Sequence, residues 1–490
     1  MTVADRPPTG LGAPDLIVAL DGAREPAGEP APGGLRLATV AADALDAIAL
    51  FEAAREADLE AALWLQPADG FALVGIGRAW EVGPGGPGRF ATAADGWRAA
   101  LARATSGGEP AAGGPDGLPR GAGPVLLGGL GFTGRRPPAD GPWGAFGAAS
   151  LVLPALALAR TPDGAFLTAA LAEPGRGATR ALARRWDDLA RRARELAPAP
   201  GALVARPAGA PLGIVGERPD RPSWDRLVGL YAGAVGRGRL DKVVLARSVA
   251  LRSPLELDPA NALRRLAAGA PESTTFAFVR GGVTFLGATP ERLARTEGRA
   301  FRTVAIAGSA PRGRDAAADA ALAAALLADE KEREEHAVVV DMLRDVLRPV
   351  AERLDIAPAP GILALRDVQH LVTPIEGTLR DESGLLALAE RLHPTPAVGG
   401  EPRGAALDLI AEHEGFDRGW YAGPVGWLGA DGDGELMVAL RCGLVAGREA
   451  TLFAGCGIVA DSDPAREWEE SRMKLRPVAS ALGRLEDGAR

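Results

Sequence analysis

Residues Gly455 to Lys474 read GCGIVADSDPAREWEESRMK, and the chain's chemistry is arranged around this stretch. An apolar run, Thr451 to Val459, passes through two glycines and ends at Asp461-Ser462-Asp463-Pro464. A polar cap followed by proline at the first helical position predicts a helix start there. Any site built here lies at a strand-to-helix join. At about 3.6 residues per turn, Glu467, Glu470 or Ser471, and Lys474 share one helix face. Two carboxylates and an ammonium then point into the same space. Taken alone, such a pattern more often marks a solvated face with i,i+3 and i,i+4 pairs, so the rest of the chain has to decide.

The chain has 490 residues, is 47% hydrophobic and carries a formal net charge of −8, which suits one large globular domain or several smaller ones. No Lys/Arg-dense stripe with interleaved aromatics appears, which argues against a nucleic-acid partner. The N-terminus lacks a charged segment leading into an apolar one, and the longest apolar stretch, Gly144 to Ala159, is broken by Pro154. No membrane segment is expected, and the expected location is the cytoplasm. Two cysteines, Cys442 and Cys456, make neither a disulfide framework nor a zinc site and read as buried thiols.

Among 55 basic residues only Lys242, Lys331 and Lys474 are lysines. A position that keeps lysine against such a bias needs what arginine cannot supply, a compact amine able to give up its proton. Lys331 sits in a charged helical run, which leaves Lys242 and Lys474 as the better candidates.

Residues 1–35 are rich in Pro, Gly and Ala and read as a loosely ordered leader; 36–213 read as the N-terminal part of the fold, and 214–490 as its catalytic region. The segment 106–124 reads as a long flexible loop, and 197–213 as the best linker candidate or a long loop within one fold. Gly129-Leu130-Gly131-Phe132-Thr133-Gly134 matches GxGxxG but runs into Arg135-Arg136-Pro137-Pro138 rather than a helix, which excludes a dinucleotide site. Gly455-Cys456-Gly457 with Ala460 fails for the same reason. A helix is expected over 178–196, then a helix over 224–236, a strand over 242–251, a helix over 258–268 and a hairpin at 274–286. The following Gly287-Ala288-Thr289-Pro290-Glu291 turn sets an acid just after a strand, either lining a cleft or capping a helix start.

A single long helix is expected over 316–348, carrying Glu332 and Glu335 at the same i,i+3 spacing as Glu467 and Glu470. Two such helix ends face to face would form an all-oxygen site suited to Mg²⁺ rather than zinc. The four histidines, all between 336 and 413, accompany no evident Ser or Cys nucleophile motif, and Trp420, Tyr421 and Trp427 read as packing residues.

Eight segments combine into a resemblance: KVVLAR (242–247), FLGATPERL (285–293), AIAGSAPRG (305–313), KEREEH (331–336), LHPTPAVGG (392–400), RGWYAGPVGW (418–427), ALRC (439–442) and AGCGIVADSDPAREWEESRMK (454–474). In order and spacing they resemble the chorismate-utilising enzymes, and among these the isochorismate synthases. The match covers about 215–485, with GGLGF and the Trp143 to Pro154 stretch similar to the family's first sheet. The resemblance implies an α/β (α+β) fold of one large domain, two mainly antiparallel sheets flanked by helices around a deep cleft. It implies Lys242 as the general base that activates water and Glu291 as the general acid toward the departing hydroxyl. Glu335 and Glu470 would hold Mg²⁺, with Glu332 and Glu467 behind them or acting through water. Gly308, Ser309, Arg441, Gly455 and Lys474 match the positions that bind chorismate, a dianion.

Relatives with other chemistry fit less well. Aminodeoxychorismate synthases use a lysine in PIKGT, where this chain has Ala307. The amine-transferring and salicylate-forming members usually have threonine where this chain has Ala397. The expected reaction is therefore isomerisation of chorismate to isochorismate, for menaquinone or a catechol siderophore, with no glutaminase subunit. The sequence does not fix the oligomeric state, and a monomer is compatible with it. Salicylate synthase is the alternative. A catalytically dead scaffold would be expected to lack Lys242, Glu291 or a metal carboxylate, and none is missing.

Overall fold

A computed structural model describes residues 13–21, 34–82, 86, 88–107, 118–172, 176–199, 211–365, 368–381 and 383–485. Its strands form a 14-stranded and a 10-stranded sheet. Pairing is antiparallel throughout except at two short edge pairs, Arg36–Ala42 with Thr105–Gly107 and Pro211–Arg218 with Arg484–Leu485. Strands from before and after residue 213 enter both sheets, so the two parts of the chain share one fold. This is the expected α+β architecture.

Strand periodicity explains how the sheets bury both sides. Along Ala61–Gln66 every residue is buried. Ala62 and Trp64 turn into the core between the sheets, while Ala61, Leu63 and Leu65 turn into a second core beneath the outer helices. The inner core holds Trp64, Trp143, Phe276, Phe285 and Trp420, all nearly inaccessible to solvent. The outer core packs helices Ala47–Glu56, Arg176–Leu196, Pro259–Gly269 and Pro464–Leu482 against the larger sheet. Burying each large apolar side chain is worth about 1.5–3 kcal/mol, so these two layers carry the stability and leave the cleft residues free for chemistry.

Three expectations change. The stretch read as a loose leader contains a helix, Ala13–Asp21, whose Leu16 and Leu20 are fully buried in the outer core. The long helix is two, Ala316–Ala328 and Glu330–Leu347: Asp329 leaves the helical conformation and caps the second by accepting the Glu332 N–H at 3.0 Å. Glu291 caps no helix, because it is followed directly by strand Arg292–Glu297. Most of 106–124 and 197–213 lies outside the described residues. The segment after Gly131 enters no helix, in keeping with the exclusion of a dinucleotide site. Among the described residues no helix is long and apolar enough to cross a membrane.

Candidate active site

Two short crossings between the sheets place the first pair of groups. Strand Val283–Thr289 belongs to the larger sheet and Arg292–Glu297 to the smaller, so Pro290 and Glu291 bridge the two. Strand Gly434–Val438 lies in the smaller sheet and Cys442–Ala446 in the larger, so Ala439 to Arg441 return alongside. The crossings are stitched together: Val438 N–H donates to the Glu291 carbonyl at 2.9 Å, Ala288 N–H to the Arg441 carbonyl at 3.1 Å, and the Thr289 hydroxyl to the Val438 carbonyl at 2.6 Å. Arg441 takes φ +47°, a left-handed conformation that a side-chain-bearing residue adopts at a cost when surrounding structure enforces it. Burial lowers the pKa of its guanidinium, which nonetheless remains a cation.

Glu291 is buried, and burial pushes its carboxyl up to about 7 against the opposing pull of Arg441, Lys474 and Lys242. The buried Thr395 hydroxyl lies near it and, among the described residues, makes no hydrogen bond of ordinary geometry. A carboxyl that keeps its proton near neutral pH although Arg441 and Lys474 favour its ionised form is suited to donate it.

Lys242 opens strand Lys242–Arg252, which pairs along its length with Glu449–Ile458. Its side chain runs over Gly457, and a β-carbon there would lie 2.3 Å from Lys242 Cε. At Gly455 a β-carbon would meet the Tyr421 hydroxyl at 2.9 Å, so the two glycines clear the same strand face. Tyr421 is buried and stacked on Phe453, the expected packing role, and its hydroxyl reaches this face. On the helix that follows, Asp463 accepts from the N–H groups of Ala465 and Arg466, and Pro464 takes the first helical position as the sequence implies. Lys474 on that helix donates to the Gly455 carbonyl at 2.9 Å and pairs with Glu470 at 2.6 Å. Burial works against the Lys474 charge, and Glu470 and Cys456 together outweigh it, leaving its pKa raised.

Glu467 and Glu470 gather with Cys456 so that one ligand atom of each lies within 4.8 Å of the others. Cys456 donates its thiol proton to the Glu467 carbonyl, and burial raises its pKa well above the ordinary thiol value. It is no ligand for a hard cation. The carboxylates do fit one: Glu467 Oε2 is buried without a hydrogen-bond partner among the described residues, and burial, Glu470 and Glu335 push this carboxyl up to about 7. Glu470 is held below its ordinary pKa, chiefly by Lys474. An orphaned carboxylate oxygen between like charges is what a divalent cation would satisfy. Glu335, on helix Glu330–Leu347, lies within electrostatic reach of Glu467 but outside this cluster of ligand atoms. Glu332 is occupied differently, accepting the Ser309 N–H at 3.0 Å, with burial as the first cause of its raised pKa.

Ala307, Gly308 and Ser309 lie in strand Ala300–Pro311, where Gly308, at φ +79°, breaks the pairing register. The Ser309 hydroxyl lies 2.8 Å from His370 Nδ1, and burial holds that imidazole down to about 4 and therefore neutral. Ala397 sits half-buried in the turn after Thr395. Glu291 thus lies within electrostatic reach of Lys242, Arg441 and Lys474, and Glu470 sits beside Lys474 and Glu467, while Glu335 stays outside the carboxylate cluster and Glu332 is tied to Ser309 in the Gly308 strand. Sequence reading missed Thr395, His370 and the Tyr421 hydroxyl; the LHPTPAVGG and RGWYAGPVGW segments contain the first and last but do not say which side chains turn inward. Two cavities, about 450 Å³ beside Trp143 and Phe453 and about 490 Å³ beside His336 and Val340, are lined by none of Lys242, Arg441, Lys474 and Glu291. Chemistry rather than volume locates the site.

A family model described as "Chorismate binding enzyme" matches residues 30–483. The "Salicylate biosynthesis isochorismate synthase" of Pseudomonas aeruginosa is 40% identical over 452 residues, covering 91% of this chain and 90% of the relative. "Isochorismate synthase MenF" of Bacillus subtilis is 36% identical over 370 residues, covering 74% of this chain and 75% of that one. Among solved structures, the menaquinone-specific isochorismate synthase MenF of Escherichia coli superposes with a TM-score of 0.73 at 28% identity, covering 93% of this chain and 96% of that one. Fold and sequence agree, and the chain belongs to the chorismate-binding enzymes.

Proposed function

We propose that the chain is an isochorismate synthase, converting chorismate to isochorismate by water attack at ring C2 and loss of the C4 hydroxyl. The observation that carries this is Glu291, a carboxyl kept protonated to about pH 7 in a crossing that Lys242, Arg441 and Lys474 all influence. Lys242 takes the proton of the attacking water, and Glu291 gives one to the departing hydroxyl, so the transposition is neutral in protons. Arg441 and Lys474 receive the substrate's carboxylates, with the backbone of Gly308, Ser309 and Gly455 lining the pocket. Glu335 and Glu470, supported by Glu332 and Glu467, would hold Mg²⁺, one of the hard cations that carboxylate oxygens suit. Bound there, Mg²⁺ would neutralise and orient the ring carboxylate. Ala307 and Ala397 supply neither the lysine nor the threonine associated with amine transfer, which supports water as nucleophile and no glutaminase partner.

The test is incubation of the purified chain with chorismate and Mg²⁺, with products resolved by chromatography and mass. Isochorismate is expected. Absence of conversion, or salicylate with equimolar pyruvate as the main products, would overturn the assignment.

A further inference from the structure

Behind the site lies an ion pair that the proposed chemistry does not use. Glu414 and Arg418 are each only 3% exposed, and the guanidinium grips the carboxylate through Nε, at 2.7 Å, and Nη2. Arg418 also donates from Nη1 to the Val398 carbonyl at 2.8 Å and from Nη2 to the Val244 carbonyl at 2.9 Å. Glu414 in turn accepts the Ala246 N–H at 2.8 Å. The guanidinium is packed over the Phe132 ring at 4.3 Å, and the Tyr421 ring centroid lies 6.0 Å away.

These acceptors belong to two different supports. Val244 and Ala246 are in the strand that starts at Lys242. Val398 is in the turn that carries Thr395 near Glu291, itself closed by the Val398 and Gly399 N–H groups donating to the Thr395 carbonyl at 3.1 and 2.9 Å. The same turn borders the lysine strand, with Gly400 opposite Val243 and Glu401 opposite Lys242. Stability alone gives little reason for an ion pair here, since apolar residues of equal volume often serve a core as well or better. Geometry gives one. A guanidinium offers five N–H donors in a fixed plane, and four hydrogen bonds are made here, a pattern that an ammonium cannot reproduce.

We infer that Arg418 is a positioning residue for the hydroxyl transposition: one buried guanidinium sets the strand that presents Lys242 against the turn that faces Glu291. This rests on the isochorismate synthase reading. Arg418 touches no reacting atom; it fixes the separation of the two groups that must act on opposite sides of one ring.

The experiment compares kcat and KM for chorismate in the unaltered chain, in Arg418→Lys, and in the double variant Arg418→Met with Glu414→Met. Arg418→Lys keeps the charge balance but not the bridge. A misplacement on the order of 1 Å costs about 100-fold in rate, so kcat should fall about 100-fold with KM within about threefold. The double variant removes both charges together and is expected to fold, which is checked by thermal unfolding. It should show the same loss in kcat, so a failure of Arg418→Lys to fold leaves the question decided by the double variant. Should a folded variant keep kcat within about threefold, or lose activity only in proportion to its unfolded fraction, the inference is overturned. No chorismate turnover by the unaltered chain would instead overturn the functional reading, and this inference with it.

Discussion

Lys242 lies across Gly457 so closely that a β-carbon on the glycine would stand 2.3 Å from Lys242 Cε and 2.9 Å from Nζ. The glycine is therefore part of how the lysine is aimed. Gly457→Ala should leave the strand paired, since alanine tolerates extended backbone, but it must displace the lysine chain. We expect kcat to fall by about 10- to 100-fold with little change in thermal stability. An unaltered kcat in a folded Gly457→Ala variant would show that the observed path of the lysine is not needed.

Lysine rather than arginine at 242 makes a separate prediction. A guanidinium stays protonated and cannot accept the water's proton, so Lys242→Arg should be nearly as inactive as Lys242→Ala. Lys474 has a different task, donating to Gly455 and pairing with Glu470, and Lys474→Arg should retain measurable turnover. Steady-state rates of the three variants decide it: near wild-type turnover by Lys242→Arg would make this lysine an electrostatic group and not a base.

Glu291 should trade stability for function in a pH-dependent way. Its folded-state pKa is raised from 4.5 to about 7, so the unfolded chain releases this proton first and stability is lost as pH climbs from about 4.5 to 7. Glu291→Gln removes that penalty. Relative to the unaltered chain it should be neutral near pH 4.5 and more stable above pH 7, by at most about 3 kcal/mol, while losing nearly all activity. In the unaltered enzyme the same proton should give a kcat limb that declines as pH rises through about 7. Denaturant melts at pH 5 and pH 8 that show an identical difference between the two proteins would refute the burial argument.

Metal dependence follows from the unpartnered Glu467 Oε2 and its neighbours. Removing one carboxylate from a hard-cation site lowers both its charge and its ligand count. Glu470→Ala and Glu335→Ala should each reduce turnover by at least about 100-fold in folded protein, and excess EDTA should silence the unaltered chain until Mg²⁺ is restored. Full activity in EDTA would remove the metal from the scheme.

What the sequence made legible was local chemistry with a local cause. Asp463 and Pro464 announce a helix because cap and proline act within one turn, and Lys242 stands out because lysine is so rare in this chain. Features with distant causes stayed hidden. Nothing between 316 and 348 resembles a breaker, yet Asp329 restarts the helix by capping it, which re-aims Glu332 and Glu335. Pro290-Glu291 resembles a turn into a helix, and only the partner strands show it to be a crossing between sheets. Leu16 and Leu20 sit in a segment whose Pro/Gly/Ala bias masks a short amphipathic helix buried by tertiary contacts. Thr395, His370 and Tyr421 were missed because which side chain faces the cleft depends on strand register and turn geometry that no motif encodes.

The product is the most discriminating outcome. Lys242 and Glu291 supply one base and one acid for a single displacement, and no second acid–base pair in the described site is dedicated to enolpyruvyl elimination. His370, which shares the Ser309 wall with Glu332, is kept neutral by burial and spends Nδ1 on Ser309. Release of pyruvate from isochorismate should therefore be slow beside the isomerisation. Ammonium should not replace water either, since Ala307 and Ala397 stand where the amine-transferring relatives carry lysine and threonine. A time course from chorismate near neutral pH should show isochorismate rising to a stable ratio with chorismate, and the same ratio should be reached from isochorismate. Added ammonium should yield neither anthranilate nor aminodeoxychorismate. If isochorismate instead appears only transiently while salicylate and pyruvate accumulate in step, the site performs elimination as well, and the acid that serves it must be sought among His370, Glu467 and the Tyr421 hydroxyl.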